Sequence, residues 1–156
     1  AASDVYKRQV DMDSVLVFLR TKHRADTLAH HLERRGVTAV AIHSNRTQAQ
    51  RQRALDGFRK KHYKVLVATD IAARGLDIDG ISHVINFDMP TFAEDYVHRI
   101  GRTGRAFATG DAITFVSPDE LRYFRRICQY IGRRFELRQY PEFELRNVEI
   151  EKFAKA

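Results

Sequence analysis

Cysteine occurs once in the 156 residues, at Cys128, so no internal disulfide can form and stability has to come from packing. The apolar spacing around it, Ile127-Cys128 with Ile131 a turn later, marks the thiol as a small core residue rather than a nucleophile. No apolar run approaches the ~20 residues of a membrane span. The first residues, Ala1 to Gln9, contain no hydrophobic segment of the secretory kind. These absences lead us to expect a cytoplasmic chain with no membrane partner. Internal repeats and low-complexity tracts are missing too. So is any Gly-x-x-x-x-Gly-Lys-[Ser/Thr] segment, which excludes the usual loop for cradling nucleotide phosphates.

What is present is enough apolar material for one core, 44% of residues, and a formal net charge of +7. That surplus favours an anionic partner, nucleic acid before an acidic membrane. Residues 1–13 carry no periodicity and read as a leader or the remnant of an interdomain linker. Five short Val/Ile-rich runs then recur: Val15 to Phe18, Ala39 to Ile42, Val65 to Ala68, Val84 to Phe87 and Ala112 to Val116. They lack clean alternation, as strands covered on both faces do. Helical spacing fills the intervals, over Lys22–Arg35, Thr47–Arg59, Phe92–Ile100 and Pro118–Gly132. Thr47 suits an N-cap, Gly36 a helix stop, and Ser117-Pro118-Asp119-Glu120 a capping box. Alternating strand and helix predict an α/β fold, a three-layer α/β/α arrangement with a mostly parallel sheet, over residues 14–141. Residues 142–156 read as a C-terminal tail. Ligands of such sheets sit at the carboxyl ends of the strands.

Three segments carry chemistry. In His98-Arg99-Ile100-Gly101-Arg102-Thr103-Gly104-Arg105, arginines recur at every third residue with glycines between them. If helical, this spacing puts the arginines on one face; the glycines allow close approach, and the guanidinium forks match phosphate oxygens. Ala68-Thr69-Asp70-Ile71-Ala72-Ala73-Arg74-Gly75-Leu76-Asp77-Ile78 begins where a buried strand ends. Thr69 can donate to a phosphate and Asp77 can accept from a ribose hydroxyl. Alternatively, Asp70 caps a short helix and Arg74 pairs with Asp77 at i, i+3. His43 to Arg51 contains a helix start, whose free N–H groups suit a phosphate, although an ordinary solvated helix has the same look. Further on, arginines interleave with aromatics from Arg122 to Tyr140. The spacing of Leu121, Phe124, Ile127, Cys128 and Ile131 predicts an amphipathic closing helix there, ahead of a nucleic-acid surface.

Residues 72–78 and 98–105 resemble, in order and spacing, the two late motifs of DEAD-box RNA helicases. Val15 to Lys22 is similar to the first motif of the C-terminal half in that family, and Gln48-x-x-Arg51 to its Gln-x-x-Arg element. The likeness runs from Val15 to Val116 and leans toward bacterial RhlE-like members. It implies a RecA-like helicase C-terminal domain. Arg102 and Arg105 would then be catalytic, reaching the γ-phosphate of ATP as arginine fingers. Gly75 and Asp77 would lie at the nucleotide with them, Asp77 near the ribose. Arg20, Thr21, Gln48, Arg51, Thr69 and Arg74 would line the RNA backbone, and His98 and Arg99 would meet the N-terminal RecA-like domain. ATP with Mg2+ would be held mainly by that other domain, since this chain has neither the phosphate loop nor an Asp-Glu-Ala-Asp segment and no metal site of its own is expected. One departure from the pattern is His43-Ser44-Asn45, where many members have His-Gly-Asp. A DNA-directed helicase half of the same fold, or a stand-alone RNA-binding module, would carry much of the same pattern.

Overall fold

A computed structural model describes residues 12–104, 110–135 and 137. Strands β1 (Val15–Phe18), β2 (Ala39–Ile42), β3 (Val65–Ala68), β4 (His83–Asn86) and β5 (Asp111–Thr114) form one sheet in the order β2-β3-β1-β4-β5. Every described pairing between these strands is parallel. The register aligns their starts, Ala39 with Val65, Val65 with Val15, Val15 with His83 and His83 with Asp111. All five strands therefore end at one edge. At the opposite edge Ser14 and Ser82 exchange hydrogen bonds, each backbone N–H donating to the other's Oγ at 3.1 Å.

The helices are α1 (Lys22–Arg34), α2 (Gln48–Arg59), the single turn α3 (Asp70–Ala73), α4 (Ala93–Ile100) and α5 (Leu121–Ile131), with a 3-10 turn at Pro118–Glu120. Alternate strand residues face opposite layers, as a pleat requires. Val15, Val17, Val65 and Val67 pack with Ala25 and Ala29 of α1. Leu16, Phe18, Leu66 and Ala68 pack with Ala54, Leu55 and Phe58 of α2 and Ala72 and Ala73 of α3. A third cluster, Met89, Tyr96 and Ile127, joins α4 to α5. This is the three-layer arrangement expected from strand–helix alternation.

Local chemistry accounts for the boundaries. Thr21 Oγ1 accepts from Arg24 N at the start of α1. At its end Gly36 takes φ +80°, with Gly36 N bonded to Glu33 O and Val37 N to Leu32 O, the paired closure that only a left-handed residue permits. Thr47 and Gln50 form a full capping box on α2. Ser117 and Glu120 form another, but it opens a 3-10 turn and α5 begins only at Leu121. On α5, Ile127 is buried while Tyr123, Phe124 and Ile131 pack beside it, the amphipathic arrangement expected; Cys128 is only half-buried. One expectation fails. Ala112 to Val116 reads as a buried strand, yet β5 is the sheet edge, and Ile113 and Phe115 are exposed. Composition resembling an interior strand does not supply a second neighbour. The leader, but for residues 12 and 13, and the tail 142–156 lie outside the described residues. No helix among the described residues is long and apolar enough to cross a membrane.

Candidate functional site

The carboxyl edge of the sheet gathers the loops after β1, β2, β3 and β4, and these carry most of the residues singled out above. The loop after β3 is shaped by alternation. Leu76 packs against the core and Ile78 and Ile81 are buried within it, while Asp77 between them projects outward with a side chain 88% exposed. Gly75 makes the preceding bend at φ +73°, a conformation that a side chain would strain.

The Gly/Arg segment is divided by the end of a helix. α4 stops at Ile100, so Arg99 and Arg102 do not share a face as the spacing suggested. Arg99 lies inside, 3% exposed. Its Nε donates to Asp70 Oδ1 at 2.7 Å, Nη2 to Asp70 Oδ2 at 2.6 Å, and Nη1 to Asn86 Oδ1 at 3.1 Å and to the Asp88 carbonyl at 2.8 Å. Its Cζ sits 4.9 Å from the centre of the Phe18 ring. The expected contact of Arg99 with another domain is therefore not what this geometry offers: the guanidinium is turned inward and bound to this chain's own groups. His98, its neighbour, is exposed.

Arg102 follows the helix and turns back to the β3 loop. Nη1 donates to the Leu76 carbonyl at 3.0 Å and lies 3.7 Å from Asp79 Oδ1, with the side chain 24% exposed. Thr103 bridges to Ile81, its hydroxyl donating to the Ile81 carbonyl. Gly110 passes so close that a Cβ there would stand 1.7 Å from Thr103 Oγ1 and 2.7 Å from Gly104 N. Segments 72–78 and 98–104 are thus laced together. Arg105 lies outside the described residues.

The remaining candidates separate into two groups. Arg51 Nη2 donates to the Ala72 carbonyl at 2.9 Å and Nη1 reaches Gln48 Oε1 at 3.5 Å, while its buried Nε has no partner among the described residues. Thr69, 8% exposed, stands beside them, its N–H bonded to Ile42 O. This is the Gln48, Arg51 and Thr69 side of the edge. Arg20 points the other way: Nη2 donates to the Met89 carbonyl and to Glu120 Oε1, each at 3.2 Å. Thr21 is occupied as the α1 cap. Arg74 pairs with Asp95 of α4 at 3.1 Å, not with Asp77, and Asp77 pairs with Arg59 of α2 at 3.2 Å. Thr69, rather than Asp70, holds the cap position of α3, and Asp70 is committed to Arg99.

Sequence reasoning missed the carboxylates. Asp88 accepts from the Arg20 N–H at 2.8 Å and from Arg24, and Asp26 takes both His43 Nε2 at 2.9 Å and Arg46 Nη2 at 2.8 Å. Burial alone would raise the Asp26 pKa, but hydrogen bonds and charge from His43 and Arg46 outweigh it and hold the carboxyl below its usual range. For Arg99 a signal existed: Tyr96 and Arg99 share the inward i, i+3 face of α4. A metal would find little here, since no three His, Cys, Asp or Glu side chains converge among the described residues. The exposed Asp77 carboxylate and the open space around Gly75 fit a sugar and a phosphate approaching from solvent.

Two outcomes follow from this wiring. Arg99→Ala strands Asp70 and removes the guanidinium's bonds to Asn86 and the Asp88 carbonyl, and should cost about 3 kcal/mol or more of stability in urea titration, with Arg99→Lys intermediate. A loss below about 1 kcal/mol would show that the fork is dispensable. Asp26 has a folded pKa below its unfolded one, so its contribution is present above the unfolded value and lost as pH falls through the folded one. Asp26→Asn should therefore be less stable than the parent at pH 6, with the gap closing by about pH 3. A gap independent of pH would remove that linkage.

Residues 3–107 match the family model described as helicase conserved C-terminal domain. The chain is 49% identical over 144 residues to the DEAD-box ATP-dependent RNA helicase CshA of Bacillus subtilis strain 168, covering 90% of this chain and 29% of the relative. It is 47% identical over 144 residues to the ATP-dependent RNA helicase CshA of Listeria monocytogenes, covering 90% and 28%. It thus spans about three-tenths of the length of these curated relatives. Among solved structures, E. coli DEAD-box protein SrmB bound to regulator of ribonuclease activity A superposes with a TM-score of 0.82 at 32% identity, over 94% of this chain and 89% of that one. The C-terminal domain of the DEAD-box protein Dbp5 gives 0.74 at 34%, over 84% and 76%. The family match, the fold and the laced motifs agree, and the chain belongs to the helicase conserved C-terminal domain family, as a domain of the DEAD-box kind.

Proposed function

We propose that this chain is the C-terminal RecA-like half of a cytoplasmic, ATP-dependent RNA helicase, and that it completes an ATPase site whose phosphate loop and Mg2+ ligands belong to an N-terminal half. The observation that carries this reading is the lacing of the β3 loop to the turn after α4. Arg102 holds the Leu76 carbonyl, and Thr103 holds Ile81. One rigid edge then presents the Asp77 carboxylate, Gly75 and Arg102 together. Within the family, the likeness to RhlE-like members stands beside the 47–49% identity to the CshA-named relatives.

ATP is the substrate, and Mg2+ held by the other half would neutralise charge on its phosphates. Arg102 and Arg105 would act when the two halves close, their guanidinium groups meeting charge that builds on the γ-phosphoryl oxygens. Asp77 would accept from a ribose hydroxyl, which requires it to leave the exposed pair with Arg59. Such a pair is worth at most about 1 kcal/mol and exchanges readily. Gln48, Arg51, Thr69 and Arg74 would hold the RNA backbone, with Arg20 and Thr21 farther along. His98, exposed at the end of α4, would meet the N-terminal half.

The chain by itself should show no RNA-stimulated ATP hydrolysis above background, measured as phosphate release, and clear stimulation of the pure chain would defeat the division of labour. In the full-length protein, Arg102→Ala should lower kcat about 10³-fold or more while RNA still binds. An unchanged kcat, in a variant whose melting temperature is retained, would remove Arg102 from the site.

A further inference from the structure

The cations on the carboxyl edge are not equal. Arg20 pairs with Glu120, Arg24 with Asp88, Arg46 with Asp26, Arg74 with Asp95, Arg99 with Asp70 and Arg102 with Asp79. Each of these charges is compensated by a carboxylate. Arg51 is held instead by neutral oxygens, of Ala72 and Gln48. Lys22 is the other exception: its Nζ donates to Asn45 Oδ1 at 3.0 Å, and no carboxylate pairs with it among the described residues.

Topology puts these two together. Lys22 opens α1 after β1, and Asn45 lies in the loop after β2. β3 runs between β1 and β2, so the Lys22–Asn45 bond spans the position where β3 ends and Thr69 begins. Arg51 approaches the same place from α2 through the Ala72 carbonyl. Arg20 leaves the same β1 loop in the opposite direction, toward Met89 and Glu120. A polyanion following the Gln48–Arg51–Thr69 side would therefore meet Lys22 and not Arg20.

We infer that Lys22 is a nucleic-acid phosphate contact on this edge, and that Asn45 is its positioning residue, an amide that orients the ammonium without cancelling its charge. The inference rests on the nucleic-acid reading above and adds a residue and a charge rule to it. An aspartate at 45 would do to Lys22 what Glu120 does to Arg20 and Asp95 does to Arg74. The change would be electrostatic, since the backbone N–H of residue 45, which donates to His43 Nδ1 at 3.3 Å, is kept.

The test is binding of a fluorescein-labelled single-stranded RNA to the full-length protein, read by anisotropy from 50 to 300 mM KCl, for Asn45→Asp, Asn45→Ala, Lys22→Ala, the Lys22→Ala/Asn45→Asp double variant and Arg51→Ala. Releasing one phosphate contact from a single strand lowers the slope of log Ka against log salt by about 0.7. Asn45→Asp and Lys22→Ala should each show that drop, with affinity reduced roughly three- to tenfold near 0.1 M salt. Asn45→Ala should lose less and keep the slope. The double variant should bind like Lys22→Ala. The inference is overturned if Asn45→Asp and Lys22→Ala both match the parent while Arg51→Ala weakens binding. It is also overturned if Asn45→Asp still weakens binding without Lys22, because the carboxylate would then act directly on the RNA. If Arg51→Ala and every other variant are silent, the nucleic-acid reading of this edge fails with it.

Discussion

One buried guanidinium sets the geometry of the working edge. Arg99 rests on the ring of Phe18 at the end of β1, forks onto Asp70 just past β3, and reaches Asn86 and the Asp88 carbonyl at the end of β4. Those strands are neighbours in the order β3-β1-β4, so a single side chain ties three consecutive strand ends and anchors α4 across them. A cation this enclosed is stable only when its donors are matched, because desolvation costs several kcal/mol if they are not. The end of α4 is consequently placed, and with it the turn through Gly101 that returns Arg102 to Leu76.

The surrounding charges are arranged by exposure. Arg99 is shut in and cannot exchange partners, whereas Arg20 and Arg74 have side chains 52% and 72% exposed and hold their carboxylates in water. Exposed pairs contribute little to stability, but they orient long side chains and can be traded for a phosphate. A domain with a formal charge of +7 thus shows less positive potential at this edge than a count of arginines suggests. What a polyanion meets depends on which cations are left with neutral partners, and Arg51 and Lys22 are those with neutral partners at the end of β3.

Much of the architecture was legible before any coordinates. The first three strands begin and end where the Val/Ile runs do, and β4 and β5 are each shifted by a residue or two. Thr47 and Gln50, and Gly36 after α1, act through interactions a few residues long, so the sequence contains both partners. β5 was misjudged as interior because its composition records apolarity but not the number of neighbours. Arg99 was misjudged for a related reason. The three-residue arginine spacing is helical, and whether the helix continues past Ile100 depends on Thr103 finding Ile81, some twenty residues earlier in the chain.

By itself, then, the sequence determined the alternation of strands and helices, the caps that bound them, and the segments bearing the unusual chemistry. Each of these is set by residues within a turn or two of one another, where sidedness and hydrogen bonding follow local geometry. The tertiary structure alone decided which arginine would be buried and which presented, and which carboxylate would hold each. Those pairings join Arg99 to Asp70, Arg74 to Asp95, Arg59 to Asp77 and Arg20 to Glu120, residues brought together only when parallel strands stack in register and their loops converge on one edge. The segment from His98 to Arg105 announced a phosphate chemistry in its composition, but the division of its labour, Arg99 as an internal tie and Arg102 at the edge, came from burial, and burial is a property of the whole fold.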